Sequence, residues 1–291
     1  MTDPIVLSIA GSDPSGGAGI QADLKTVTAL GCYGAAVITS LTAQNTRGVT
    51  GIHAVPASFV AEQLTAVLDD LDVAAIKIGM LAEPAIATAV AGVLAARPGP
   101  SIVLDPVMVA TSGDRLVTPE VTAVIKHELL PLATVITPNL PETATLLEID
   151  RPRTLDEMIM AAGALRDLGT AALVKGGHLD PAEAAREADD PVGGSVTVLR
   201  PDRSGQRPSS VDVLAHDAGV TRFAADWIDT PNTHGTGCTL SSAIAAELAR
   251  GHDLRTAVGR GKDYLTGALL AGSRLTIGSG AGPVDHLWRT R

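Results

Sequence analysis

The sequence predicts an α/β fold, a mostly parallel central sheet with helices on both faces. Three observations carry this. Short apolar runs alternate with segments of helical period along most of the chain. Glycine or polar residues recur immediately after those runs. The stretch Asn232–Thr239 is a glycine turn that leads straight into a helical segment. Regular strand–helix alternation implies βαβ crossovers, and those place helices on both sides of a parallel sheet.

From the N-terminus, Ile5–Ala10 is an apolar run of the kind buried in a parallel sheet. A long turn, Gly11–Gly19, separates it from a helix over Ile20–Leu30. Ala35–Leu41 reads as a strand, followed by a polar segment, Thr42–Arg47. Ser58–Leu71 is helical, with Phe59, Leu64, Val67, Leu68 and Leu71 on one face. Ala74–Ile78 is a strand stopped by Gly79, and Glu83–Ala96 a helix with Pro84 in its first turn. The strand Ile102–Leu104 ends at Asp105-Pro106; a helix over Val121–Leu130 and a strand over Thr134–Thr137 follow. A helix holding Glu142, a second over Leu155–Leu168, and the strand Ala171–Lys175 complete the alternation.

His178–Ser210 differs in composition, dominated by Pro, Gly, Ser and charged residues, with one short strand at Ser195–Leu199. It reads as a surface insertion. Val211–Ala215 and Val220–Phe223 bracket Asp217-Ala218-Gly219 as a hairpin. Leu240, Ile244 and Leu248 recur every fourth residue, which predicts an amphipathic helix closed by Arg250-Gly251. A last helix spans Asp253 to Leu270. No internal repeat or long linker divides the 291 residues.

Composition narrows the function classes. At 45% hydrophobic and 19% charged residues the chain can bury a large core. A net charge of −10 without a basic run argues against nucleic-acid and membrane-surface partners. No stretch approaches the roughly 20 apolar residues of a membrane span. Met1-Thr2-Asp3-Pro4 is no signal peptide, and two cysteines, Cys32 and Cys238, make no disulfide framework. A cytoplasmic protein is expected.

The polar residues at strand ends are Gly11-Ser12-Asp13, Gln44-Asn45, Gly79, Asp105, Asn139 and Lys175-Gly176-Gly177. In an open α/β sheet they fall along one edge, where ligands bind. The glycines of Asn232–Thr239 expose backbone N–H groups at a helix start, which suits a phosphate. Gly17–Ala22 matches the loose dinucleotide pattern G-x-G-x-x-A, but no acid lies about twenty residues on, the next after Asp23 being Glu62. A nicotinamide enzyme is therefore a remote alternative. Asp23 and Lys25 lie in the new helix, where charges ordinarily face water.

Set side by side, Gly11–Asp23, Ala43–Thr46, Lys77–Leu81, Asp105–Met108, Thr137–Glu142, Lys175–His178 and His234–Cys238 closely resemble one family. It is the hydroxymethylpyrimidine/phosphomethylpyrimidine kinases of thiamine biosynthesis, in the ribokinase-like superfamily. The resemblance runs in order from Ile5 to Trp288. It departs at 178–210, longer than expected for the family, and no fused synthase domain is expected. It implies one ribokinase-like domain, ATP as co-substrate with Mg²⁺, a pyrimidine alcohol as acceptor, two successive phosphoryl transfers and a homodimer. Pyridoxine or pyridoxal kinases share the fold and several motifs, and a non-catalytic pyrimidine-binding protein is a further alternative.

The resemblance also implies site roles. Gly235, Gly237 and Cys238 would hold the moving phosphoryl group. Lys175, Asn139 and Thr236 would serve ATP, and Asp105 and Glu142 would organise Mg²⁺. Gln44 is the first candidate for the pyrimidine edge and Asp23 the second, with Gly11, Ala18, Met80 and Val107 as walls. Glu142 can equally be a helix-start charge and Asp105 a strand-end cap. Cys238 stands where sugar kinases of the superfamily carry an Asp base. It is either a thiolate base, favoured by the helix N-terminus, or a spacer whose N–H does the work.

Overall fold

The computed structural model describes residues 3–108, 117–177, 179, 196–199 and 210–290. Most of the expected insertion at 178–210 lies outside the described residues. The strands are β1 (Ile5–Ala10), β2 (Tyr33–Ile38), β3 (Ser40–Asn45), β4 (Gly48–Ala54), β5 (Val73–Ile78), β6 (Ser101–Leu104), β7 (Val135–Ile136), β8 (Ala171–Val174), β9 (Val196–Leu199), β10 (Ser210–His216) and β11 (Gly219–Ala225). The helices are α1 (Gly19–Ala29), α2 (Ala57–Asp70), α3 (Pro84–Ala95), α4 (Pro119–Val124), α5 (Leu140–Leu147), α6 (Leu155–Arg166), α7 (Thr236–Ala249) and α8 (Leu254–Gly272).

Among the described residues the main sheet has the order β2-β1-β5-β6-β7-β8-β10-β11-β9. Pairing is parallel from β2 through β8, antiparallel from β8 to β10 and β10 to β11, and parallel again for β9. The alternation of strand side chains divides the core in two. Leu7, Ile76 and Leu104 face one way, against Val60 and Leu64 of α2, Ile86 and Val90 of α3 and Met158 of α6. Val6, Ala75 and Val103 face the other, against Val27 of α1, Leu240 and Ile244 of α7 and Val258 and Tyr264 of α8. Burial on both faces explains the near-continuous apolar strands.

Five expectations change. Ala35–Leu41 is not one strand: main-sheet pairing ends at β2, and Thr39 turns the chain by donating N–H to Ala10 O and Oγ1 to Met80 O. The supposed polar segment Thr42–Arg47 instead lies in an antiparallel hairpin, β3–β4, separate from the main sheet. On α2 the buried residues are Val60 and Leu64, and Phe59, about 100° away on the wheel, is 54% exposed. The helix expected over Val121–Leu130 starts at Pro119 and gives way after Val124 to a π-type turn, Ile125–Leu129, and a 3₁₀ turn, Leu130–Leu132. Pro131 has no N–H to continue the α ladder. Finally, α7 is not amphipathic. Every residue from Thr239 to Glu247 is buried, while Leu248 is only half-buried.

The strand order reverses at β1, which lies between β2 and β5. The carboxyl ends of β1, β5, β6, β7 and β8 therefore open onto one crevice at a topological switch point. The start of α7 points into it from the second face, and the β3–β4 hairpin stands at its rim. Among the described residues, no helix is long and apolar enough to cross a membrane.

Candidate active site

The crevice is a cleft of about 600 Å³. It brings together every site residue expected from the sequence except Asp23: Gly11, Ala18, Gln44, Met80, Asp105, Val107, Asn139, Glu142, Lys175, Gly235, Thr236, Gly237 and Cys238 all line it. Gly11 and Cys238, 227 positions apart in sequence, converge only because the parallel strands end at one edge.

The glycine turn is built by contact as well as by conformation. Gly235 caps α7 at φ +81°, and a Cβ there would stand 1.9 Å from Gly17 O. No other residue fits. Among the described residues, the N–H groups of Gly237 and Cys238 find no acceptor, leaving donors aimed outward at the positive end of a buried helix. A Cβ on Gly237 would lie 3.3 Å from Lys175 Nζ and 3.6 Å from Asp105 Oδ2, so this turn, a cation and a carboxylate meet within a few ångströms.

Lys175 Nζ donates to Asp105 Oδ1 at 2.9 Å. Asp105 is buried and also receives Thr137 Oγ1 at 3.1 Å and Ser241 Oγ at 3.3 Å. Burial would raise its carboxyl, but Lys175 and Lys77, with the hydrogen bonds from Lys175 and Thr137, hold it below the usual carboxylate range. Glu142 shows both of its possible roles at once. It closes a capping box with Asn139, Oε2 accepting from Asn139 N at 2.7 Å while its own N–H reaches Asn139 Oδ1 at 2.9 Å. It also lines the cleft, where burial first and Asp105 further push its carboxyl up to about 7, against Lys175 and the N–H groups of Asn139 and Met108. Among the described residues no three His, Cys, Asp or Glu side chains converge as a protein-only metal site. Two hard-oxygen carboxylates that repel each other beside a phosphate-sized space do fit Mg²⁺, which ordinarily takes one or two carboxylates and completes its shell with phosphates and water.

Asp23 is not solvent-facing, and it does not line the cleft. It lies beneath the cleft, fully buried, its oxygens taken by Lys77 Nζ at 2.8 and 2.9 Å, Ser8 Oγ at 2.6 Å and Ser242 Oγ at 2.8 Å. Burial would lower the Lys77 ammonium, but Asp23 outweighs it and keeps Lys77 charged. Removing either partner of such a pair costs about 3–5 kcal/mol. The serines on α7 are explained by this charge: Ser241 and Ser242 face inward because Asp105 and Asp23 require donors.

Cys238 does not gain acidity from the helix start. Burial pushes its thiol up to about 11, and Asp23 and Asp105 add to the rise, against Lys77 and a backbone hydrogen bond from Gly19. At neutral pH it is a thiol.

At the rim, Gln44 lines the cleft with its amide 3.2 Å from Thr42 Oγ1. Ser12 N donates to Ser40 O, and Thr42 donates to Ser12 through both N–H and Oγ1, so the hairpin is tied to the first loop. Gly11 is needed there: a Cβ would stand 2.5 Å from Met80 Cε.

Several paired charges around the cleft were given no role by the sequence reading. Asp13 and His234 form a pair at 2.7 Å joining the two glycine segments. Asp212 Oδ2 accepts from Lys262 Nζ at 2.6 Å, and its Oδ1 accepts from Gly176 N at 2.9 Å, which anchors the chain beside Lys175. The usable signal was a charged residue inside an apolar strand, Lys77 in Ala74–Ile78 and Asp212 in Val211–Ala215. Neither is tolerated unpaired.

Such a cleft handles a mobile and highly charged group. Free N–H donors, a lysine and carboxylates suited to a divalent ion meet at one part of it, and apolar residues with the Gln44 amide line another. That is the class of α/β phosphotransferases. The phosphomethylpyrimidine kinase family matches residues 13–285. The hydroxymethylpyrimidine/phosphomethylpyrimidine kinase of Rhizobium meliloti is 49% identical over 288 residues, covering 98% of this chain and 97% of that one. Among solved structures, Bacillus subtilis pyridoxal kinase in its ADP complex superposes with a TM-score of 0.83 at 32% identity, covering 99% of each chain. The phosphomethylpyrimidine kinase of Clostridium difficile does so at 0.72 and 36% identity, covering 90% of this chain and 97% of that one. The chain belongs to the phosphomethylpyrimidine kinase family.

Proposed function

We propose that this protein transfers the γ-phosphoryl group of ATP to the hydroxymethyl oxygen of 4-amino-5-hydroxymethyl-2-methylpyrimidine, and then a second one to the monophosphate, in thiamine biosynthesis. The observation that carries the reading is the meeting of the Gly235–Cys238 turn with Lys175 and Asp105, in the cleft that Gln44 also lines. Phosphoryl transfer asks for alignment and charge neutralisation more than for covalent help. The turn's N–H groups receive the moving group's oxygens. Lys175, already charged on Asp105, needs only to swing its tip to meet the phosphates. Asn139 and Thr236 flank ATP, and the Gln44 amide pairs with the aminopyrimidine edge, with Gly11, Ala18, Met80 and Val107 enclosing the ring. Asp105 and Glu142 would hold Mg²⁺, which supplies neutralisation of phosphate charge. Cys238 contributes its backbone N–H, and its protonated thiol serves as a spacer. We read residues 1–291 as one kinase unit acting as a cytoplasmic homodimer.

The test is incubation with ATP, Mg²⁺ and the pyrimidine alcohol, with products identified by mass. Successive gains of one and two phosphoryl groups support the reading, and no phosphorylated product sinks it. The superposition on pyridoxal kinase supports a second reading, phosphorylation of a pyridine alcohol. Relative kcat/KM on the pyrimidine alcohol and pyridoxal separates the two.

A further inference from the structure

The loop after β1 is wound around one carboxylate. Asp13 is buried, and its Oδ1 accepts from Ser15 N at 2.9 Å and Ser15 Oγ at 2.7 Å. Its Oδ2 accepts from Gly17 N at 3.1 Å and Ala18 N at 2.8 Å. All of these donors belong to the loop itself. One more comes from far away: His234 Nε2, at 2.7 Å from Oδ2 and 221 residues on in sequence. Because an ionised carboxylate only accepts, Nε2 carries the proton.

The two ends of this bond belong to opposite sides of the reaction. Ala18, whose N–H is held by Asp13, is a wall of the cleft on the acceptor side. His234 immediately precedes Gly235, the cap of the turn on the phosphoryl side. The loop and the turn also touch directly. A Cβ on Gly235 would meet Gly17 O at 1.9 Å, and one on Gly17 would meet His234 Cδ2 at 2.4 Å. Behind the contact, His234 N donates to Gly282 O at 3.0 Å, so the histidine is fixed from its other side. Ala18 therefore cannot shift against Gly235 without breaking a buried, charge-assisted hydrogen bond.

We propose that Asp13 and His234 are a positioning pair that sets the separation between the acceptor wall and the phosphoryl-holding turn. The inference rests on the kinase reading above. In-line transfer tolerates little error, since a misplacement of about 1 Å can cost ~10²-fold in rate. Neither residue needs to touch the reacting atoms. Their effect falls on the spacing of two groups that do, and so on kcat more than on ATP binding.

The experiment compares His234→Leu, which keeps bulk and loses the donor, with His234→Gln, whose amide nitrogen can reach the same place. In the full-length protein, Tm, kcat and KM for both substrates, ATP affinity by calorimetry, and amide hydrogen exchange are measured. His234→Leu is expected to lose at least ~30-fold in kcat, with ATP affinity within about threefold of the parent and faster exchange confined to residues 13–19. His234→Gln is expected to recover most of the rate and the protection. Parental kcat in His234→Leu overturns the proposal. So does equal loss in both variants, or a loss that follows Tm and ATP affinity together, since each marks a general packing role. A failed kinase reading shows itself differently, as a parent protein with no turnover. Exchange at residues 13–19 then still decides the pair: unchanged protection in His234→Leu removes it.

Discussion

Gly237→Ala and Gly235→Ala, two residues apart, should fail in different ways. Gly237 lies in the first turn of α7 with ordinary helical backbone, and alanine there gains up to ~1 kcal/mol of helix propensity. Its methyl group would stand 3.3 Å from Lys175 Nζ, the tip of a flexible side chain, so the fold can accept it. The cost falls on function. The methyl occupies the space between the free N–H groups and Lys175 in which a phosphoryl oxygen must sit. Displacing that oxygen by about 1 Å should lower kcat ~10²-fold, with Tm equal to or above the parent's. Gly235 is a different case. A Cβ 1.9 Å from Gly17 O must retreat roughly 1.4 Å to reach an ordinary carbon–oxygen contact of about 3.3 Å. The left-handed backbone adds ~1–2 kcal/mol on top of that clash. At a total of about 3 kcal/mol, Tm should fall by roughly 5 °C, with kcat falling as well. Thermal melts and steady-state rates on both variants decide the matter. Parental kcat in Gly237→Ala, or parental Tm in Gly235→Ala, would refute the assigned turn.

Gln44→Ala should raise KM for the pyrimidine roughly 5- to 150-fold, the equivalent of about 1–3 kcal/mol for a lost amide pairing, and leave ATP affinity unchanged. An unmoved pyrimidine KM would take Gln44 out of the site. Cys238→Ala should keep kcat within about tenfold of the parent, because the thiol is not ionised at neutral pH. A fall of ~10²-fold or more would restore the thiolate base. Asp13→Asn should change how stability depends on pH. Burial raises the Asp13 carboxyl, but hydrogen bonds from His234, Ser15 and the Ala18 N–H outweigh it and bring it to about 2, below the ordinary 3.8. Its stabilisation of roughly 2 kcal/mol is therefore present above pH 3.8 and lost as pH falls through about 2. Urea unfolding of parent and variant should thus converge between pH 4 and pH 2; a constant gap across that window would contradict it.

Much of this architecture was legible without coordinates. The apolar runs at β1, β5, β6 and β8 announce a parallel sheet because strands covered on both faces cannot carry alternating polar residues. The turn at Asn232–Thr239 announces its chemistry because only glycine allows φ +81° at Gly235 against the backbone of Gly17. Polar residues at strand ends mark the ligand edge, since parallel strands end together. What the sequence could not supply was which distant groups pair. Asp23 reads as a charge on a helix, yet Lys77, 54 residues on, buries it under the cleft. The β3–β4 hairpin escaped because its strands have no fully buried face and so no apolar pattern. The acidity of Cys238 depends on Asp23, Asp105 and Lys77, from three separate elements. Local pattern records what a residue's immediate neighbours demand of the backbone. Burial, ion pairing and acidity are decided by groups brought together across the sheet, and those the tertiary structure alone determines.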